Sequence, residues 1–123
     1  PVEAPDELAL TFEEAEDTLE LQRDRAVGLF KAVLESPRED EEALRLKESA
    51  ISKLAKVYAD ARQFPEVVEL LKSSNALFSS IAKSRTAKIV RGILDVVALV
   101  PDSLDIQVEL CRDVIDWCKA EKR

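Results

Sequence analysis

The side chains that could do chemistry in this chain are two thiols and a large number of carboxylates. The 123 residues include two cysteines, 25 acids and no histidine. Nucleophilic catalysis usually pairs a serine or cysteine with a base, most often histidine, and histidine is also the commonest metal ligand in proteins. The two glycines, Gly28 and Gly92, are isolated, so no glycine-rich loop is available to cradle a phosphate. We therefore predict no catalytic residue, no metal site and no cofactor, and we expect a non-enzyme that acts through its surface.

The two thiols lie seven residues apart, at Cys111 and Cys118, in a stretch with the pattern of one helix. At about 1.5 Å rise per residue their Cα atoms would be about 10 Å apart, whereas a disulfide needs a separation below about 7 Å. Both cysteines share an apolar stripe with Leu104, Val108 and Ile115. The pattern predicts two buried, reduced thiols in an intracellular protein.

The stretch from residue 72 to residue 91 contains five bases and no acid. Its candidate partner-binding residues are Lys83, Arg85, Lys88 and Arg91. If Ser84 caps a helix here, two of these cations lie at the positive end of the helix dipole, where each costs about 0.3–1 kcal/mol. Two interpretations are open. The stretch binds an acidic partner surface, or it is ordinary helix surface in which Arg91 pairs with Asp95, Lys88 is a solubilising charge and Lys83 closes the preceding helix.

A second charged candidate is the acidic start of the chain. The first 20 residues contain eight acids and no base, whereas the remainder contains 17 acids and 18 bases. The candidate partner-binding acids are Glu13, Glu14, Glu16 and Asp17. Acids in a first turn also stabilise a helix through its dipole, so helix stability alone is the competing explanation. Because the net charge is −7, the chain lacks the basic footprint that nucleic-acid binding requires, and we predict no nucleic-acid partner.

The elements that must position these residues are helices, because apolar residues recur at helical spacing throughout. The pattern predicts six helices. The first covers about 11–19, the apolar stripe of the second runs over 26–34 and ends near Ser36-Pro37, and the others cover about 39–61, 65–81, 84–100 and 103–120. The first would begin with a capping box at Thr11-Phe12-Glu13-Glu14, and the third, capped by Ser36 or Asp40, would be the central helix. Asp102 or Ser103 would cap the sixth. The longest apolar run, 96–100, is far too short to span a membrane, so we predict no membrane partner.

Short links between these helices predict three antiparallel hairpins, over 11–35, 39–81 and 84–120. Their spacing of about forty residues is typical of helical repeats. The fold class predicted is all-α, a right-handed helical solenoid of irregular tetratricopeptide-like hairpins over 11–123, preceded by an N-terminal arm over 1–10. Arg62 occupies the position where such a repeat usually has a turn glycine. Trp117 either closes the core or packs on whatever follows residue 123.

Five segments of the sequence carry a family resemblance. They are Asp40-Glu41-Glu42-Ala43, Lys47-Glu48-x-x-Ile51-x-x-Leu54, Lys83-Ser84-Arg85-Thr86-Ala87-Lys88-Ile89-Val90, Val100-Pro101-Asp102-Ser103-Leu104-Asp105, and Val108-Glu109-Leu110-Cys111 through Glu121-Lys122-Arg123. In this order and at matched spacing, over about residues 12–123, they resemble the N-terminal region of the family of sixth non-ATPase subunits of the 26S proteasome regulatory particle lid. The basic segment and the final Glu-Lys-Arg are the most specific.

The resemblance implies a non-catalytic scaffold with an N-terminal helical solenoid and, beyond this segment, a C-terminal PCI domain. It implies contacts with an α-ring subunit of the proteasome core, a proteasomal ATPase subunit and other lid subunits. We then expect a role in ubiquitin-dependent protein degradation and a cytoplasmic and nuclear location. Two alternatives are open, a paralogous signalosome subunit and a tetratricopeptide-type peptide-binding adaptor. The adaptor would need lysine, asparagine and arginine converging on a peptide carboxylate, and Asn75 is the only asparagine in the sequence.

Overall fold

A computed structural model describes residues 7–102 and 104–121. In these two ranges the chain forms seven α-helices and no strand, so the predicted all-α class is confirmed. The helices are α1 (Glu7–Thr18), α2 (Arg23–Glu35), α3 (Glu41–Asp60), α4 (Phe64–Ser73), α5 (Asn75–Ser80), α6 (Lys83–Ala98) and α7 (Leu104–Glu121). The arrangement of their hairpins as a solenoid stays a prediction. None of the helices in these ranges is both long and apolar enough to cross a membrane.

The chain divides into two compact units, one ending at Leu54 and the other beginning at Ala55. In the first unit, α1 and α2 pack against each other as a helix pair. Ala15 and Ala26 are fully buried. The rings of Phe12 and Phe30 meet edge to face, with centroids 5.6 Å apart and an interplanar angle of 68°. Aromatic pairs in this geometry add about 0.5–1.5 kcal/mol beyond the apolar area they bury.

Helix α1 begins at Glu7, four residues before the predicted start. The hydroxyl of Thr11 donates to the carbonyl of Glu7 at 2.9 Å, inside the helix, so the predicted capping box at residue 11 is wrong. Starting earlier brings Leu8 into the core, where it is buried. Residues 7–10, expected in the arm, therefore belong to α1, and residues 1–6 lie outside the described residues.

Of the two caps predicted for α3, Asp40 is confirmed, and Ser36 is instead the C-cap of α2. The Asp40 Oδ2 atom accepts a hydrogen bond from the N–H of Ala43 at 3.4 Å. Arg38 holds the same carboxylate from the other side, because its Nε and Nη2 atoms donate to the two oxygens at 2.9 and 2.8 Å. This fork, helped by the Ala43 N–H, lowers the pKa of Asp40 from 3.8 to about 2.

The core positions predicted for α3 are confirmed over most of its length. Ala50, Ile51 and Leu54 are fully buried, and Tyr58 is nearly so. Ala61, which was placed on the same stripe, is exposed because α3 ends at Asp60. Apolar side chains cover more than one face of α3, which is the pattern of a helix packed on two sides.

Arg62 ends α3 in the left-handed region, with φ of 60°. Its N–H donates to the carbonyl of Ala59 at 2.9 Å, and the N–H of Gln63 donates to the carbonyl of Tyr58 at 2.8 Å. These two bonds form a Schellman motif, in which glycine is the usual left-handed residue. The structure thus explains why a glycine was expected at this position. The arginine side chain offsets part of its backbone strain, since Nη1 donates to the carbonyl of Pro101 at 2.8 Å.

The predicted fourth helix is wrong as a single element, because the structure breaks it at Ser74 into α4 and α5. Ser74 is buried, and its N–H donates to the carbonyl of Leu70 at 3.1 Å. The hydroxyl of Ser73 donates to the same carbonyl at 3.1 Å. Serine hydroxyls compete with backbone groups in this way, which weakens a helix interior. Phe78 of α5 is then buried in the second unit.

Helix α6 starts at Lys83 with Ala82 as its N-cap and no side-chain cap bond. The prediction that Ser84 caps this helix is wrong, because Ser84 lies inside the first turn. Asp102 follows α6 in the left-handed region, with φ of 57°, and α7 begins at Leu104. Asp102 and Ser103 were the two caps predicted for the helix that is α7 in the structure, and Ser103 lies outside the described residues.

The predicted core stripe of α7 is also wrong. Exposed residues of that stripe are Leu104, Val108, Cys111 and Ile115. The side chains that α7 buries are instead Leu110 and Val114. The side chains of Cys118 and Trp117 lie outside the described residues, so the expected burial of the first and both alternatives for the second stay predictions.

Candidate protein-interaction surfaces

Two of the four predicted partner-binding acids are used inside the first unit. The carboxylate of Glu14 forms an ion pair with Arg25 of α2. Glu16 pairs with Lys53 of α3, with its Oε2 atom 3.6 Å from Nζ. All four side chains are partly exposed, so each pair adds at most about 1 kcal/mol to stability. These acids connect α1 to its neighbours.

The other two predicted acids, Glu13 and Asp17, form what we call the acidic face of α1. Both are exposed, and among the described residues neither has an ion-pair partner. They lie four residues apart on the helix side opposite the buried Ala15. Like charges at this spacing destabilise a helix by about 0.2–0.5 kcal/mol. Leu10 lies one turn before Glu13 and is 49% exposed.

The predicted basic residues of α6 also divide by exposure. Lys83, Lys88 and Arg91 are exposed, whereas Arg85 is half-buried. Lys88 and Arg91 lie three residues apart, on the side opposite the buried Ile93, and we call this pair the basic face.

The ordinary explanation of the basic residues fails in two respects. Arg91 and Asp95 are one turn apart, yet no ion pair joins them in the part of the chain that the structure describes. Lys83 is the first residue of α6 and does not close α5. No acid lies in the first turn of α6, although an acid at the positive end of the dipole would stabilise the helix. Places where a local rule is broken without visible compensation are candidates for function.

The structure offers little that resembles a reaction centre. Over residues 7–102 and 104–121, no group of three acids or cysteines is close enough to hold a metal ion. A cleft of about 160 Å³ lies beside Lys56, Asp60 and Leu99. Small-molecule sites usually enclose about 300–1,000 Å³, so this cleft has room for a single side chain. Cys111 is a free, exposed thiol.

Comparison with known proteins assigns the family. The family model described as "26S proteasome regulatory subunit RPN6 N-terminal domain" matches residues 8–123. This chain belongs to that family. The family resemblance seen in the sequence is therefore confirmed, and the match covers every residue of both charged faces.

Curated relatives of the RPN6 family agree along most of the chain. The "26S proteasome non-ATPase regulatory subunit 11 homolog" of Arabidopsis thaliana is 40% identical over 85% of this chain and 25% of its own length. The "probable 26S proteasome regulatory subunit rpn6" of Schizosaccharomyces pombe is 31% identical over 81% of this chain and 24% of its own. The "26S proteasome regulatory subunit RPN6" of Saccharomyces cerevisiae is 30% identical over 68% of this chain and 19% of its own length. The chain thus spans about a quarter of the length of the relatives it matches.

Sequence reasoning missed how the acids divide between ion pairs and the acidic face. The signal was weak but present, because Arg25 lies eleven residues after Glu14, across the link that joins α1 to α2. A helix hairpin with a link of this length brings such positions together. Spacing alone does not predict the Glu16–Lys53 pair, which depends on how α3 packs against α1.

Proposed function

We propose that this chain is a non-catalytic scaffold segment of a 26S proteasome regulatory subunit and that its charged helix faces dock on neighbouring subunits. The observation that carries the proposal is the family match over residues 8–123 combined with the basic face of α6, which has no ion-pair partner among the described residues. The proposed partners are an α-ring subunit of the core, an ATPase subunit and other lid subunits. In this role the segment links regulatory particle to core and supports ubiquitin-dependent degradation in the cytoplasm and nucleus.

Absence of catalysis is part of the proposal. The chain has no histidine, and its isolated thiol at Cys111 has no basic partner among the described residues. The chemistry of the described surface is therefore that of ion pairs and apolar contacts.

Electrostatic docking gives each charged face a partner of opposite sign. Lys88 and Arg91 would lie against acids of one subunit, and Glu13 and Asp17 against bases of another. Faces of this kind steer association and fix orientation, and placing like charges opposite one another costs several kcal/mol. Lys88 and Arg91 have no ion-pair partner among the described residues, and docking would supply one to each.

Charge reversal in the full-length protein tests the proposal. The variant Lys88→Glu/Arg91→Glu should reduce incorporation into 26S particles by more than about tenfold, because two attractive contacts become repulsive. A matched control is Lys56→Glu/Lys119→Glu, which changes net charge equally at two exposed lysines elsewhere in the second unit. Native gels followed by quantitative mass spectrometry measure incorporation, and circular dichroism checks the fold. Equal incorporation of both variants would remove the basic face from the proposal.

The peptide-binding adaptor receives no support from the structure. The Oδ1 atom of Asn75 is buried and accepts no hydrogen bond from the residues that the structure describes. A buried amide oxygen is not displayed to a peptide in solution. No observation favours the signalosome alternative over a proteasome subunit, and the curated relatives quoted above are all named as 26S proteasome subunits.

A further inference from the structure

Helix α7 has an apolar stripe that its own unit leaves exposed. We call this stripe the seam, and it consists of Leu104, Val108, Cys111 and Ile115. The exposed fractions of the leucine, valine and isoleucine are 70%, 46% and 52%. Side chains of this type are normally buried when they recur along one side of a helix.

The seam is separate from the face that α7 already buries. Leu110 and Val114 pack towards α4, where they line a narrow cleft with Val68 and Leu71. At about 100° per residue, the seam is centred about 110° around the helix from Leu110 and Val114 and occupies an arc of about 60°. The exposed fractions show that the contacts of α7 with α4 and α6 leave the seam uncovered.

Charged residues of α7 lie on a third side. They are Asp105, Glu109, Arg112, Asp113 and Asp116. These charges already form a solvent-facing side of α7, so contact with water does not explain a further apolar stripe. A second apolar stripe that α4 and α6 do not cover is the pattern of a helix that packs against a further neighbour.

Spacing within the seam indicates what covers it. The intervals are four, three and four residues, as along the contact line between two helices that run side by side. From residue 104 to residue 115 the seam is about 16 Å long, which matches about three turns of a partner helix. The occupant is therefore an α-helix with its own apolar stripe, lying along α7.

We propose that the seam is covered, in the full-length protein, by a helix from the part of the chain that follows residue 123. The family is named as an N-terminal domain, and its relatives are about four times as long as the segment matched here, so a full-length member has chain to supply that helix. This inference rests on the family membership behind the proposed function, but not on either charged face. The proposed docking and the proposed coverage of the seam can therefore be disproved independently of each other.

Thiol labelling tests the proposal, because Cys111 lies within the seam. Maleimide labelling of the 123-residue chain should modify Cys111 readily, whereas the monomeric full-length protein should label it more than about tenfold more slowly, as expected for a site that reacts only on local opening. Trypsin cuts after Arg91, Arg112 and Lys119, which places Cys111 and Cys118 in different peptides. Mass spectrometry then reads the labelling of Cys111 alone. Ala32→Cys, at an exposed position of α2, is the control that should label in both chains.

Each outcome decides the proposal. Slow labelling of Cys111 in the monomeric full-length protein, with unchanged labelling of the control, supports it, and Val108→Asp should then restore fast labelling there. Equal labelling in the two chains overturns it. Protection that appears only as concentration rises would mean that a second copy covers the seam, and protection only within assembled particles would mean that another subunit does. Either of these results also overturns the proposal.

Discussion

The ammonium group of Lys47 donates a hydrogen bond to the carbonyl of Ser36 at 2.6 Å. A second bond, also 2.6 Å, runs to the carbonyl of Arg38, so one side chain of α3 holds both ends of a turn in the link from α2. Lys47 is only 6% exposed. A buried lysine is stable when its charge is satisfied by hydrogen bonds, and here two backbone carbonyls supply them.

Replacing Lys47 by methionine should therefore destabilise the protein although the apolar stem is kept. Lys47→Met leaves two carbonyls without their donor, and we expect a loss of about 1–3 kcal/mol in the free energy of unfolding. Lys53→Met is the matched control, because Lys53 makes only a half-exposed ion pair worth at most about 1 kcal/mol. Urea denaturation measures both. Losses of equal size would contradict a structural role for the buried lysine.

Arg62 allows backbone strain to be separated from side-chain contacts. Arg62→Ala loses the bond to the Pro101 carbonyl and the contact with the Phe64 ring, 5.9 Å from the guanidinium, while keeping a left-handed residue with a Cβ. Arg62→Gly loses the same contacts but relieves a strain of about 1–2 kcal/mol. We expect the alanine variant to be the least stable of the three proteins in thermal denaturation. A glycine variant less stable than the alanine variant would contradict the Schellman assignment.

Asp40 should make stability depend on pH in a defined window. Its pKa is lowered from 3.8 to about 2 in the folded chain, so the stability it contributes is present above 3.8 and is lost as the pH falls towards 2. Asp40→Asn should flatten the stability curve in this window, and Glu69→Gln, at an exposed position of α4, is the charge-matched control. An NMR titration of the carboxyl carbon in the Arg38→Gln variant supplies a direct check, in which the pKa of Asp40 should rise. A pKa that stays near 2 without Arg38 would contradict the assigned cause.

The division of the acids on α1 predicts effects of opposite sign. Glu13→Gln removes a like-charge repulsion with Asp17 and should stabilise the chain by about 0.2–0.5 kcal/mol at low salt. Glu14→Gln breaks the ion pair with Arg25 and should destabilise it by about 0.2–1 kcal/mol. Denaturation at low and high ionic strength measures both, and salt should shrink the two effects together. Changes of the same sign would mean that the two acids do not differ in role.

Much of the fold could be predicted because local rules and packing agree. The spacing of Phe30, Val33 and their neighbours and the buried stripe of α3 each favour one solution, and the end of α2 and both ends of α3 lie within two residues of the prediction. Agreement failed where a weak preference competes with packing. Burial of Leu8 favours a start of α1 before the capping signal at Thr11. At Ser73 and Ser74 the low helix preference of serine coincides with the end of α4.

The seam of α7 shows why the rest could not be predicted. Leu104, Val108 and Leu110 are equally apolar, and helical periodicity identifies two stripes without telling which one the unit covers. The positions of α4 and α6 decide that Leu110 and Val114 are inside. The residues of the charged faces could be predicted from the sequence. Which acids form ion pairs with Arg25 and Lys53 depends on how the helices of the first unit pack.

Purification of the full-length protein from its native cells tests the central claim most directly. Affinity capture at low salt, followed by quantitative mass spectrometry, should recover subunits of the regulatory particle and of the proteasome core in fixed ratio to the captured chain. Lys88→Glu/Arg91→Glu should lower their yield, and Lys56→Glu/Lys119→Glu should not. Recovery of the full-length protein without proteasome subunits, or with signalosome subunits in their place, would contradict the account.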